Sequence, residues 1–262
     1  MTRVQHEPAY VLHRYDFTES SVIVEAFTRQ HGRVALIAKG AKKPSSNFRP
    51  ILLPLQPLAL GWTGDSEVRA LKGAEWLGGH VMPSGAMLWA GLYANELLLK
   101  LLARDDAHPR LFDVYQACVR VLAQQQADLA ELALRAFELA LLRDIGLLSN
   151  LEQTSEQILR QTGDIALKLT PEAGLNPEHG TDVSPGDGLG IRAAQWANIE
   201  RALAACMDAP HAQARMAAFA PLMRSCEPVA QALKTQLRSV LHYHCGVPLL
   251  KTRQVMLELR NL

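Results

Sequence analysis

The spacing of apolar positions changes partway along the chain. Up to about Trp76 they come in short runs, which predict strands over 9–14, 21–28 and 33–39, the last two rich in β-branched or aromatic residues. Val34, Leu36 and Ala38 alternate with Arg33, Ala35, Ile37 and Lys39, the period near two of a half-exposed strand. Arg29-Gln30-His31-Gly32 has hairpin length, and Gly32 can take a positive φ. Two further strands are predicted over 53–62 and 67–75, joined by Thr63-Gly64-Asp65-Ser66, with Pro54 and Pro57 suited to an edge or a strand start. Five short strands without a helical period predict a small closed barrel. The OB-fold is the commonest such barrel, with an SH3-like barrel as the alternative.

Past Met82-Pro83-Ser84 the period becomes helical. Helices are predicted over 86–103 with Ser84 as N-cap, from Pro109 to about Gln126, and over 129–145 between Asp128 and Gly146. Three more are predicted over 191–207, 212–224 and 229–245, the last ended by Gly246-Val247-Pro248. Residues 162–190 cluster Gly, Pro and Asp without a period, which predicts a long loop or a small insert with a strand over 165–169. The expected class is α+β. A five-stranded OB-fold barrel occupies 1–80, and a mainly α-helical domain occupies 81–262 with an irregular insert near 149–190.

Composition adds limits. The chain has 262 residues and is 48% apolar, ordinary for a globular protein of one or two domains. It lacks a run of ~18 apolar residues, and MTRVQHEPAY lacks the apolar core of a signal peptide, so a cytoplasmic protein off the membrane is expected. Cys118, Cys206, Cys226 and Cys245 form no C-x-x-C pair, which predicts neither zinc nor a disulfide framework; Cys118 is expected buried.

Charge changes the picture most. The net charge of +1 hides ten Lys or Arg against seven acids in 1–80, and five basic residues against Glu258 alone from Pro228 onward. Residues 151–190 invert this, with seven acids and two basic residues. The stretch from Thr28 to Pro50 carries Arg29, Arg33, Lys39, Lys42, Lys43 and Arg49 and no acid. Such a surface attracts phosphate backbones with little sequence preference. Phe48 and Trp62 lie near it in sequence, and each fits the core better than a base-stacking role.

Catalytic readings find no support. Gly186, Gly188 and Gly190 follow no strand of a βαβ unit, and there is no G-K-S/T phosphate loop or nucleophile elbow. His242 and His244 stand two apart on a helix, so their side chains diverge and no metal site is expected. Glu131, Arg135 and Glu138 have the spacing of an exposed intrahelical ion-pair ladder. Neither a catalytic site nor a cofactor is expected.

AYVLHRYDFTESSVIVEAFTRQHGRVALIAKGAKKP over 9–44 resembles the RecO family of bacterial recombination mediators. So do EVRALKGAEWL over 67–77, GLYANELLLKLL over 91–102, ALRAFELALLRDIG over 133–146 and GVPLLKTRQVMLEL over 246–259, in family order. The most specific run is carried by Phe27, Thr28, Gly32, Leu36, Ala38, Lys39, Gly40 and Ala41. The resemblance implies an N-terminal OB-fold, a helical C-terminal domain and binding of single- and double-stranded DNA. It also implies strand annealing, docking on the acidic tail of single-strand-binding protein, and cooperation with RecR in loading RecA. A nucleoid-associated location follows from the same role.

On this chain the resemblance points to Arg33, Lys39, Lys42, Lys43, Arg69 and Lys72 for DNA, to which the charge pattern adds Arg49. For the partner tail it points to Arg135 beside Phe137 and Leu141. Many relatives carry a four-cysteine zinc site after this helix. Residues 149–190 hold no cysteine, so the zinc is not carried over. Two alternatives stand beside this reading: an OB-fold RNA-binding accessory protein, which shares the charge logic, and a protein-interaction adaptor that works through its helical half and whose basic loop is only solvated.

Overall fold

Alternation builds the barrel. β1 (Arg3–Asp16), β2 (Val22–Thr28) and β3 (Gly32–Ala38) form an antiparallel meander. β4 (Leu58–Thr63) pairs with β1, and β5 (Val68–Trp76) runs antiparallel to β4 and parallel to β3. The order β1-β2-β3-β5-β4 closes on itself, giving the expected OB-type barrel of five strands. Val24, Ala26, Val34, Leu36, Leu60 and Trp62 are among the side chains that fill it. The structure is a computed structural model that describes residues 2–79, 81–148, 151–177 and 190–260.

Two strands differ from expectation. β1 is far longer than 9–14, because its polar first half gains partners only when β4 arrives alongside. Bulges between Val4 and Glu7 and between Val11 and His13 let this one strand serve two neighbours. β4 begins at Leu58 rather than 53, since Pro54 and Pro57 offer no N–H to a ladder.

α1 (Gly85–Leu101), α2 (Pro109–Leu122) and α8 (Lys251–Arg260) belong with the barrel in one compact unit, residues 1–125 and 251–262. The period change near 80 marks where strands stop, while compactness extends this unit to 125. Buried Asn95 of α1 donates to the Val11 and Leu12 carbonyls at 3.3 and 3.2 Å and accepts from the Tyr115 hydroxyl at 2.5 Å. Tyr10, Phe27, Phe112 and Tyr115 pack edge-on or tilted, centroids 5.0–6.0 Å apart. Burial pushes the Tyr10 phenol up to about 12.

The second unit, 126–250, holds α3 (Ala127–Asp144), α4 (Leu151–Thr162), α5 (Ala193–Met207), α6 (Ala212–Cys226) and α7 (Ala230–Cys245). The insert expected to be irregular contains α4 and a three-stranded sheet of order β7-β6-β8. β6 (Ala166–Thr170) lies one residue from the expected strand and pairs with β7 (Gly174–Pro177) and β8 (Ile191–Arg192). Gln236 of α7 accepts from the Leu169 N–H at 2.8 Å, a tertiary anchor for this sheet. Gly186 and Gly188 lie outside the described residues. α3 begins one residue before Asp128, so that carboxylate sits in the first turn rather than at the cap.

Candidate nucleic-acid interface

Lys39 leaves β3 into the connection that leads to β4, and successive turns then fold the chain back on itself. Lys43 N–H donates to the Gly40 carbonyl and Ser46 N–H to that of Lys43, each at 3.0 Å. Lys39 and Lys43 are exposed and face β5 across a groove of about 450 Å³ whose far wall is Lys72, Gly73 and Ala74. Gly40, Ser45, Ser46, Asn47 and Phe48 also line it, and among the described residues no carboxylate takes part. The groove thus joins three lysines that sequence separates by about thirty residues.

Lys42 and Arg49 line a neighbouring cleft with Arg14 and Asp16, sharing Phe48 with the first. Lys42 is partly engaged, its Nζ 2.8 Å from the Thr18 carbonyl and 2.9 Å from exposed Asp16. Beyond Lys72, a third cleft contains Arg3, His6 and Glu75. Five of the seven expected DNA-contacting residues therefore cluster on one stretch of barrel surface: Lys39, Lys42, Lys43, Arg49 and Lys72.

Arg33 and Arg69 stand elsewhere. Arg33 donates to the Leu99 carbonyl at 2.5 Å and lies 3.9 Å from buried Glu25, while Arg69 donates to Asp105 at 2.6 Å. Arg104 bridges Glu25 and Glu67, which raises its own pKa chiefly through the Glu25 hydrogen bond. Arg29 pairs both ways with Asp113, at 2.9 and 3.2 Å. Within the acid-free stretch, Arg29 thus meets a carboxylate from α2 and Arg33 lies near one from the adjacent strand β2, so both are engaged in structure.

The residues expected at the partner tail lie inside α3. Phe137 and Leu141 are fully buried, and Arg135 donates to buried Glu138 at 2.6 Å. The expected exposed ladder is therefore a buried pair, with Glu131 turned instead to Lys234 at 2.7 Å. The exposed-surface reading fails because helical spacing does not reveal which face meets other helices.

Phe48 is half-buried against the barrel core and Trp62 lies within it, as residue type suggested. Sequence reasoning missed Arg14, Arg3 and Trp76, whose exposure depends on how strand ends meet the long connection. Burial holds the thiols of Cys206 and Cys226 up at about 11 and about 12, so both are poor nucleophiles. Cys118 is buried as expected. The insert over 149–190 holds no cysteine and so supplies no thiolate ligand. No helix among the described residues is long and apolar enough to cross a membrane.

Comparison with known proteins covers both halves. The family model described as Recombination protein O N terminal matches residues 1–80, and that for Recombination protein O C terminal matches 82–253. DNA repair protein RecO of Polaromonas sp. is 54% identical over 260 residues, 99% of this chain and 98% of the relative. The RecO proteins of Polaromonas naphthalenivorans and Variovorax paradoxus are 52% and 51% identical, each with 99% and 98% coverage. Two family models in order, with more than half of all positions shared along nearly the whole length, show that this chain belongs to the RecO family of DNA repair proteins.

Proposed function

We propose that the chain is a non-enzymatic recombination mediator that binds single- and double-stranded DNA along the cationic groove and anneals complementary strands. The observation that carries this reading is the convergence of Lys39, Lys43 and Lys72 on a groove that no carboxylate lines among the described residues. Phosphates entering it release counterions, which supplies affinity without sequence preference. Annealing then needs only neutralised backbones and exposed bases, and base pairing provides the free energy. No nucleotide hydrolysis is required, in keeping with a sequence that lacks a phosphate-binding loop.

RecR, the acidic tail of single-strand-binding protein and, through them, RecA are the partners this role calls for. The tail contact is assigned to the helical unit on resemblance. Arg135, Phe137 and Leu141 identify the helix concerned rather than its accessible surface.

The test is annealing of complementary oligonucleotides by the whole protein without ATP, over a series of salt concentrations. Annealing should accelerate at low salt and fade as salt rises. Reversing Lys39, Lys42 and Lys43 together to Glu should weaken DNA binding and flatten its salt dependence, with the melting temperature nearly unchanged, since exposed charges contribute about 0–1 kcal/mol each. Absence of acceleration at low salt would overturn the annealing role. Tighter binding of an RNA of the same sequence would favour the RNA-binding alternative.

A further inference from the structure

A second cleft lies along the same two segments of chain as the lysine groove. The segments that wall the groove, β5 and the β3–β4 connection, also supply lining to this apolar cleft of about 430 Å³. On the connection, Lys39 to Phe48 line the cationic part and Pro50, Ile51 and Leu53 the apolar part. On β5, Lys72 to Ala74 line the first and Trp76 the second. Both walls thus change from cationic to apolar in the same direction. Trp76 stands four positions after Lys72 on β5, at most about 13 Å away at the rise of a β-strand.

Trp76 is 57% exposed, although it is the largest side-chain type and ends a core strand. Leu77 and Val81 beside it are 56% and 81% exposed. The backbone here is held firmly, since Trp76 is paired with Leu58 and the Leu77 N–H donates to the Pro57 carbonyl at 2.9 Å. A large aromatic ring is therefore presented to solvent from a fixed strand end.

We infer that Trp76 is a stacking platform for an unpaired base of a DNA strand whose backbone lies on Lys39, Lys43 and Lys72. An occupant that is anionic at one end of a groove and flat and apolar at the next matches single-stranded nucleic acid. A duplex keeps its bases stacked on one another and has no free face to offer. The platform thus favours separated strands over duplex, while the lysines serve both. It would hold a base unpaired while a complementary strand approaches. This inference rests on reading the lysine groove as a DNA site.

The test compares the wild-type chain with Trp76→Ala and Trp76→Phe, using oligothymidylate and a duplex of mixed sequence. Oligothymidylate should quench tryptophan fluorescence in the wild type, and the quench should vanish in Trp76→Phe, because Trp62 and Trp196 are fully buried and Trp89 half-buried. Trp76→Ala should bind oligothymidylate roughly tenfold more weakly, the loss expected for one stacked base. Duplex affinity and the salt dependence should be unchanged, and Trp76→Phe should retain most of the affinity. Trp76→Ala with wild-type affinity for oligothymidylate, or with equal losses on single strand and duplex, would overturn the platform and leave the patch to a protein partner. If Trp76→Ala fails to fold, quenching that persists in Trp76→Phe overturns it equally. A wild-type chain that binds neither DNA fails the groove reading itself, a separate outcome.

Discussion

At Gly32 the β2–β3 hairpin turns with a φ of +65°, and a Cβ there would lie 1.8 Å from the Asp106 carbonyl oxygen. Two constraints meet at one position, a left-handed backbone and a wall of backbone that cannot yield. Gly32→Ala should therefore destabilise the protein by about 2 kcal/mol or more, measured as a lowered denaturation midpoint. An unchanged midpoint would mean that the 105–106 segment is free to move. The turn was legible from hairpin length and residue type. The wall was not, since Asp106 comes from the α1–α2 link. The arginines divide in the same way. Arg33 meets the Leu99 carbonyl and Arg69 the Asp105 carboxylate, both from elsewhere in the chain, while Lys39 and Lys43 face a groove. Formal charge counts them alike, and only their neighbours separate structural cations from available ones.

Among elements, α8 shows how a segment without a clear sequence signal is held. Glu96 of α1 accepts from the backbone N–H groups of Lys251 and Thr252 at 2.8 and 2.9 Å and from the Thr252 hydroxyl at 2.7 Å. One carboxylate thus satisfies orphan donors of the first turn and opposes the positive end of the helix dipole. Glu96→Ala should loosen α8, so that limited proteolysis removes the C-terminal segment several times faster while the barrel survives. Equal cleavage rates would show that packing alone holds it. The helix went unread because its cap lies 155 residues away in sequence. α4 and β7 were missed for a related reason: a short strand or helix of polar composition is stable only against neighbours that the chain supplies from elsewhere. The barrel strands and the long helices were legible because each carries its own apolar period.

At the scale of the whole molecule, the chain divides into two compact units, each with its own core. Scanning calorimetry should therefore show a calorimetric enthalpy larger than the van't Hoff enthalpy of the transition. A ratio of one would mean that the units melt together. The near-neutral net charge conceals a local surplus, and its placement on the barrel groove is what the DNA reading uses. The amino-acid sequence by itself determined the class of the fold, the barrel, the helical half, the family, and the presence of a concentrated positive stretch. Those follow from periodicity, residue type and charge, which are local properties of a chain. The tertiary structure alone decided which of those cations share a groove, which are bound into ion pairs, and that Phe137 and Leu141 lie in the core. It alone left Trp76 exposed in an apolar cleft bordered by the same strand and connection as the lysine groove. Each of these depends on segments far apart in sequence meeting in space, and no local pattern records such a meeting.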